Sequence, residues 1–197
     1  MILTPDNEYA VLIDACVLVP MPLCETLLRL AEEPALYRPL WSDRILQEVG
    51  TALGQMKYTV AQIERRLKAM RDTFPEASVT IPGHLVEGLS CIPDPKDRHV
   101  LAAAMIGRAN AILTFNERHF PAECLAQYEI DRMSPDEFLV HQYHLNPEAL
   151  LDKIDAQAAA IRETRDAVIE RFRKRLQAPQ FADIVEGKKD NQKENKI

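Results

Sequence analysis

Three acidic residues and one asparagine stand where a metal-assisted hydrolysis could be built. Asp14 interrupts an otherwise apolar run from Ala10 to Pro20. A carboxylate in such a run is costly unless it is hydrogen-bonded or bound to a cation, and read alone it could equally bond to the turn that follows. Glu48 lies one residue before Val49, beside the apolar stripe of a helical pattern. Alone it reads as a boundary glutamate facing solvent. Asp97 stands just ahead of a strongly apolar helix, where alone it reads as an N-cap. Asn116 follows a short apolar strand. Several carboxylates converging at one place repel one another and raise each other's pKa values. A hard divalent cation removes that penalty and prefers oxygen ligands. It can also polarise a phosphoryl oxygen and activate a water, which is the chemistry of phosphodiester hydrolysis. The chain has no G-x-x-x-x-G-K-[ST], G-x-G-x-x-G or G-x-S-x-G, so P-loop and serine hydrolases lose their usual support.

These side chains need elements to position them. Tyr9 to Ile13 is a short apolar run rich in Val and Ile, the pattern of a buried strand, and it ends at Asp14. Leu23, Leu27, Leu28 and Leu30 give a helical pattern that runs to Pro34. Ser42 is a good N-cap for a helix striped by Ile45, Leu46, Val49 and Leu53. Thr59 and Gln62 form a capping-box pair, as do Ser134 and Glu137. Ser78 to Ile81 is a weak strand. The turn-rich segment Ile92 to Asp97 leads into a helix over Arg98 to Arg108, apolar nearly all round, with Gly107 and Asn110 near its end as candidate caps. Ala111 to Phe115 is another buried strand, ending at Asn116. Helices returning to short apolar strands predict an α/β layered fold on a parallel sheet. Sites in such sheets form beyond the carboxyl ends of the strands, where Asp14 and Asn116 fall. Asn146-Pro147 opens an interrupted apolar stripe up to Pro179, readable as one helix of about 30 residues. That stripe must bury against the core, a second copy or a partner. From Gly187 the polar composition predicts a frayed or disordered tail.

Composition narrows the classes. The 197 residues are 47% hydrophobic and 27% charged, with a net charge of −6. Residues 1–145 carry 13 basic and 20 acidic side chains against 11 and 10 in 146–197, so the acids lie where the candidate site is. A global basic field that grips nucleic acid is absent. The longest runs free of Asp, Glu, Lys and Arg span ten residues, such as Ala15 to Cys24, against about 20 for a membrane helix. Met1 to Ala10 has acidic residues and no basic one, unlike a signal peptide. The expectation is a cytoplasmic protein. The four cysteines, at 16, 24, 91 and 124, make no C-x-x-C pair and are expected as reduced, buried apolar residues.

Three stretches resemble the PIN-domain family, which includes VapC-type toxins of bacterial toxin–antitoxin pairs. Val11-Leu-Ile-Asp14-Ala-Cys-Val-Leu is similar to the family's first strand and its acid. Ser42-Asp-Arg-Ile-Leu-Gln-Glu48-Val is similar to the helix that supplies the second. Pro93-Asp-Pro-Lys-Asp97-Arg-His-Val-Leu with Ala111-Ile-Leu-Thr-Phe-Asn116 resembles the third acid, its helix and the next strand. The resemblance covers about residues 9–140. It implies a PIN-like three-layer α/β sandwich around a central parallel sheet over residues 1–146, with 147–197 as a helical C-terminal extension. It implies a ribonuclease in which Asp14, Glu48 and Asp97 bind Mg²⁺ or Mn²⁺ and Asn116 assists. Many relatives carry Asp at the position of Asn116 or of His119, which leaves Asn116, Glu117 and His119 as alternatives for the fourth ligand. Arg98 and His99 beside Asp97 are candidate phosphate contacts. Arg65 and Arg66, with Lys68 and Arg71, form a basic helix face that could guide RNA. The implied partners are RNA, a small protein antitoxin and a second copy in a homodimer, with the extension serving dimerisation or antitoxin docking. A catalytically weak PIN scaffold that binds RNA or protein is the alternative, and cleavage of a DNA flap is a third reading.

Overall fold

The computed structural model describes residues 9–175 and 177–194, with side chains described up to Gly187. The polar tail expected from Gly187 to be frayed is helical as far as Glu194, and its last three residues lie outside the described residues. Contact clustering divides the chain into two units, Met1–Pro20 with Ala31–Met133, and Met21–Leu30 with Ser134–Ile197.

The first unit is built on five strands, β1 (Ala10–Ile13), β2 (Arg38–Ser42), β3 (Ser78–Val79), β4 (Ala111–Leu113) and β5 (Asp131–Met133). Their order is β3-β2-β1-β4-β5 and every pairing is parallel. The chain starts at the central strand, builds outward to one side, then crosses over to build the other. The reversal lies between β1 and β4, whose carboxyl ends open the crevice in which such sheets carry their sites. Every residue of β1 is buried, as expected of a strand covered on both faces. The helices of this unit are α1 (Ala15–Leu18), α3 (Asp43–Gln55), α4 (Val60–Thr73), α5 (Gly83–Gly88), α6 (Arg98–Gly107) and α7 (Ala122–Ala126), while α2 (Leu23–Ala31) lies almost wholly in the second. The result is the expected α/β sandwich with a parallel sheet.

Local signals explain the helices that hold the site. The Ser42 hydroxyl accepts the Ile45 N–H and caps α3, whose Ile45, Leu46, Val49 and Leu53 are buried. The capping box at Thr59 and Gln62 is formed. Helix α6 ends on Arg108 in the left-handed region (φ 52°), not on Gly107 or Asn110. Gly107 is small for another reason: a Cβ there would stand 2.7 Å from Leu40 Cδ1. Strand β5 carried no recognisable pattern in the sequence, since Asp131 and Arg132 occupy a short edge strand.

The second unit holds α2 with α8 (Pro135–Leu145), α9 (Pro147–Ala160), α10 (Arg165–Lys174) and α11 (Pro179–Glu194). The single long helix expected after Asn146 is two helices. Arg162 turns left-handed (φ 56°) and Thr164 caps α10 through the Ala167 N–H. The apolar stripe finds its burial within this unit. Leu150, Ile154, Val168, Ile169 and Phe172 are all buried, Phe181 packs on Tyr143 and Phe172, and Gln157 accepts from Thr26 of α2 at 2.5 Å. The buried Asp136 carboxylate accepts the Gln180 and Phe181 N–H groups at 2.9 and 2.8 Å, fixing the start of α11.

Candidate active site

Asp14 and Asp97 both occupy helix N-cap positions, and neither side chain caps its helix. This sets aside the plain cap reading of both, while Asp14 does accept from Cys16 in the turn that follows it. Asp14, at the end of β1, has only 8% of its surface exposed. Its Oδ2 accepts the Thr114 hydroxyl at 2.7 Å and the Cys16 thiol at 3.1 Å. Thr114 is fully buried at the end of β4, so this bond spans the crevice where the sheet reverses. The same hydroxyl accepts the Asn116 N–H at 3.0 Å. Burial, with the Asp14 charge adding, pushes the Cys16 thiol up to about 12, so it stays protonated and acts as a donor.

Asp97 is delivered by the Pro93–Lys96 turn, in which Asp94 accepts the Lys96 N–H at 2.9 Å. Its Oδ2 is shut off from solvent without a well-directed hydrogen bond, and its nearest partner is His119 Nδ1 at 2.8 Å. Burial pushes the Asp97 carboxyl above its ordinary range, His119 pulls it back, and the Asp94 and Asp14 charges raise it again. Asp14 and Asp97 thus feel one another. Glu48, half-buried on α3, has its Oε1 2.9 Å from His99 Nε2 and 3.6 Å from Arg44 Nε. Two of the three acids are therefore each matched to an imidazole.

The candidates for the fourth position separate. Asn116 is exposed. Glu117 stands 3.8 Å from Arg132 Nε, and His119 faces Asp97. Arg132 also donates to the Glu117 and Phe120 carbonyls, pinning the 3₁₀ turn Glu117–His119. Of the basic residues, His99 is buried against Glu48. Arg98 donates to the Ile92 carbonyl at 3.3 Å, and Arg66 to those of Leu18 and Val19 at 2.6 and 3.2 Å, while Arg65 is exposed on α4. Thr114 and Cys16 were not recognisable beforehand as partners of Asp14, because nothing in their spacing brings them to it. Phe115, 40% exposed between Thr114 and Asn116, was not singled out either. An exposed aromatic at the end of a buried strand was the available signal.

A PIN domain family model matches residues 10–118, more than half of the chain. The chain belongs to the PIN domain family. The match spans Asp14, Glu48, Asp97, Thr114 and Asn116 of this PIN domain, and stops one residue short of His119. Over 65 residues the chain is 48% identical to a protein of Mycobacterium tuberculosis (strain ATCC 25618 / H37Rv) named "Putative ribonuclease VapC50". That stretch is 31% of this chain and 38% of the relative, so well under half of the relative's length is matched.

PIN nucleases generally require a divalent cation, and Asp14 and Asp97 supply the hard oxygen donors that such an ion takes. The Asp14 charge raises the Asp97 carboxyl, which a cation would relieve, and the solvent-shielded Asp97 oxygen lies 2.8 Å from His119 Nδ1. Glu48 is engaged by His99. Among the described residues no three of His, Cys, Asp and Glu form a group close enough to hold an ion.

Cys91 and Cys124 are joined in a disulfide, which corrects the expectation of four free thiols; Cys16 and Cys24 are free. The pair lies 33 residues apart in sequence but 5.5 Å apart at Cα, a proximity that only the fold creates. Among the described residues no helix is long and apolar enough to cross a membrane.

Proposed function

We propose that this chain is a metal-dependent endoribonuclease that hydrolyses phosphodiester bonds of RNA, serving as the toxin of a toxin–antitoxin pair. The observation that carries this reading is the pair of aspartates at helix N-caps whose carboxylates are withheld from capping. Neither caps its helix, and the burial of Asp97 beside the Asp14 charge is a cost that a cation would relieve. Asp14, Glu48 and Asp97 would hold Mg²⁺ or Mn²⁺. Once bound, such an ion neutralises the carboxylates and draws charge from the scissile phosphoryl group. The chain's own groups do the rest. Thr114 and Cys16 orient Asp14, His119 faces Asp97, and His99 holds Glu48 from inside. Asn116, exposed at the crevice, orients the attacking water. Arg98 and Arg65 meet the phosphate backbone, and Phe115 offers an aromatic face to an unstacked base. A local cationic path suits single-stranded or looped RNA better than bulk attraction, given the net charge of −6. The proposal includes a cytoplasmic setting, a homodimer and a small antitoxin that covers the acids, with residues 147–197 as the extension available for docking.

The test is cleavage of a mixed RNA pool by the purified chain with Mn²⁺, Mg²⁺ or EDTA, beside Asp14→Asn. Cutting that needs metal and that the variant lacks supports the reading, whereas equal cutting by the variant sinks it. A second reading, a PIN scaffold that binds RNA or protein without cutting, is favoured by one observation: Glu48 is tied to His99 instead of standing with the two aspartates. Folded, antitoxin-free protein that binds RNA but cuts none would decide for it. Recovery of cutting in Asn116→Asp would then identify the missing charge.

A further inference from the structure

Beside the carboxylates lies a cavity of about 310 Å³, lined by Ser42, Asp43, Arg44, Val79, Thr80, Ile81, Val86 and His99. We infer that it receives the base of one nucleotide next to the scissile phosphate and so sets the base preference of cleavage. This rests on the ribonuclease reading of the adjoining site.

Position is the first argument. Ser42 and Val79 are the last residues of β2 and β3, so the cavity opens at the same carboxyl edge of the sheet as Asp14. Those strands lie one and two places from β1, about 5 and 10 Å across a sheet, within reach of a neighbouring nucleotide. Continuity is the second. His99 belongs to both places, lining the cavity while its Nε2 meets Glu48 at 2.9 Å. Arg44 does the same, with Nε 3.6 Å from Glu48 and a terminal nitrogen donating to the Lys96 carbonyl at 3.3 Å. An occupant would therefore touch the groups that hold the second acid and the turn that delivers the third.

Chemistry is the third argument. Val79, Ile81 and Val86 are branched apolar side chains, each only half-buried, and offer walls to the flat face of a base. Arg44, Asp43 and Thr80 supply donors and acceptors for its edge. The Ser42 hydroxyl is already used as the α3 cap. The volume is at the lower end of the roughly 300–1,000 Å³ of small-ligand pockets, which suits one nucleotide and not a folded peptide segment.

The experiment pairs two readouts on the full chain. The first sequences the cut ends of a random RNA pool for wild type and for Val86→Trp, which fills the cavity from α5. The expected result is a base preference at one position beside the cut in wild type, reduced about tenfold in the variant. The second follows the methyl signals of Val79, Ile81 and Val86 in the wild-type chain during titration with each nucleoside monophosphate, and with inorganic phosphate as control. Shifts caused by a nucleotide and not by phosphate support the subsite even if no RNA is cut, in which case only the ribonuclease reading fails. Cutting with an unchanged base profile in Val86→Trp and no nucleotide-induced methyl shift overturns the inference. So do equal shifts with phosphate alone, or shifts only on addition of a protein partner.

Discussion

Thr114→Val tests how Asp14 is held. The substitution keeps the shape of a fully buried residue and removes only its hydroxyl. Two strong bonds are lost, the donation to Asp14 Oδ2 at 2.7 Å and the acceptance of the Asn116 N–H at 3.0 Å, with a weak contact to the Cys16 thiol at 3.5 Å. A hydrogen bond to a charged group is worth about 1.5–3 kcal/mol and a neutral one about 1. Thr114→Val should therefore cost about 2.5–4 kcal/mol, lowering the melting temperature by roughly 5–16 °C for a chain of this size. The single tryptophan, Trp41, is buried in β2, so urea unfolding followed by its fluorescence reports on the unit that carries the site. In an Asp14→Ala background the same substitution should cost only the Asn116 part, about 1 kcal/mol. The double-mutant cycle then gives a coupling of about 1.5–3 kcal/mol. Thr114→Ser, which keeps the hydroxyl, should retain that coupling. A coupling below about 0.5 kcal/mol would show that Thr114 does not hold Asp14 and would refute the geometry argued for the crevice.

Four further outcomes are expected from the other groups around the site. Burial and nearby acids raise the folded-state pKa of Asp97, so its ionised form opposes folding once pH rises above the unfolded carboxylate range. Asp97→Asn should thus match wild type at low pH and be the more stable chain at neutral pH. Mn²⁺ at about 100 times its Kd should reverse that order by adding about 2.7 kcal/mol to wild type alone, as melting curves with and without metal would show. Thiol titration of the unreduced chain should find two thiols after denaturation, Cys16 and Cys24. Neither should react promptly in the native state at pH 8, because Cys16 is pushed up to about 12 and Cys24 is buried; four reactive thiols would contradict the disulfide. Arg65→Ala should weaken RNA binding severalfold at unchanged stability. Arg66→Ala should lower stability by about 1–3 kcal/mol, because the Leu18 and Val19 carbonyls lose their donor.

The layered α/β class is legible in the amino-acid pattern, because period and capping are local properties. The run into Asp14, the Ser42 cap and the two capping boxes state their elements within a few residues. Asp14, Glu48 and Asp97 stand out as a set through the resemblance to the PIN family, since each alone reads as a turn, boundary or cap residue. Edge strand β5, the break at Arg162 and the left-handed end of α6 were not legible, because neighbours from elsewhere in the chain or single backbone angles decide them. The partners of the acids were hidden for the same reason. Thr114 reaches Asp14 across 100 residues of sequence, His119 meets Asp97, His99 meets Glu48 one helix away, and Cys91 meets Cys124. Each is a contact made by side chains that share no spacing rule. Parallel strands bring their carboxyl ends to one edge whatever their order in the chain. Only when the sheet is formed do those ends, with their charges and hydroxyls, come within hydrogen-bond distance.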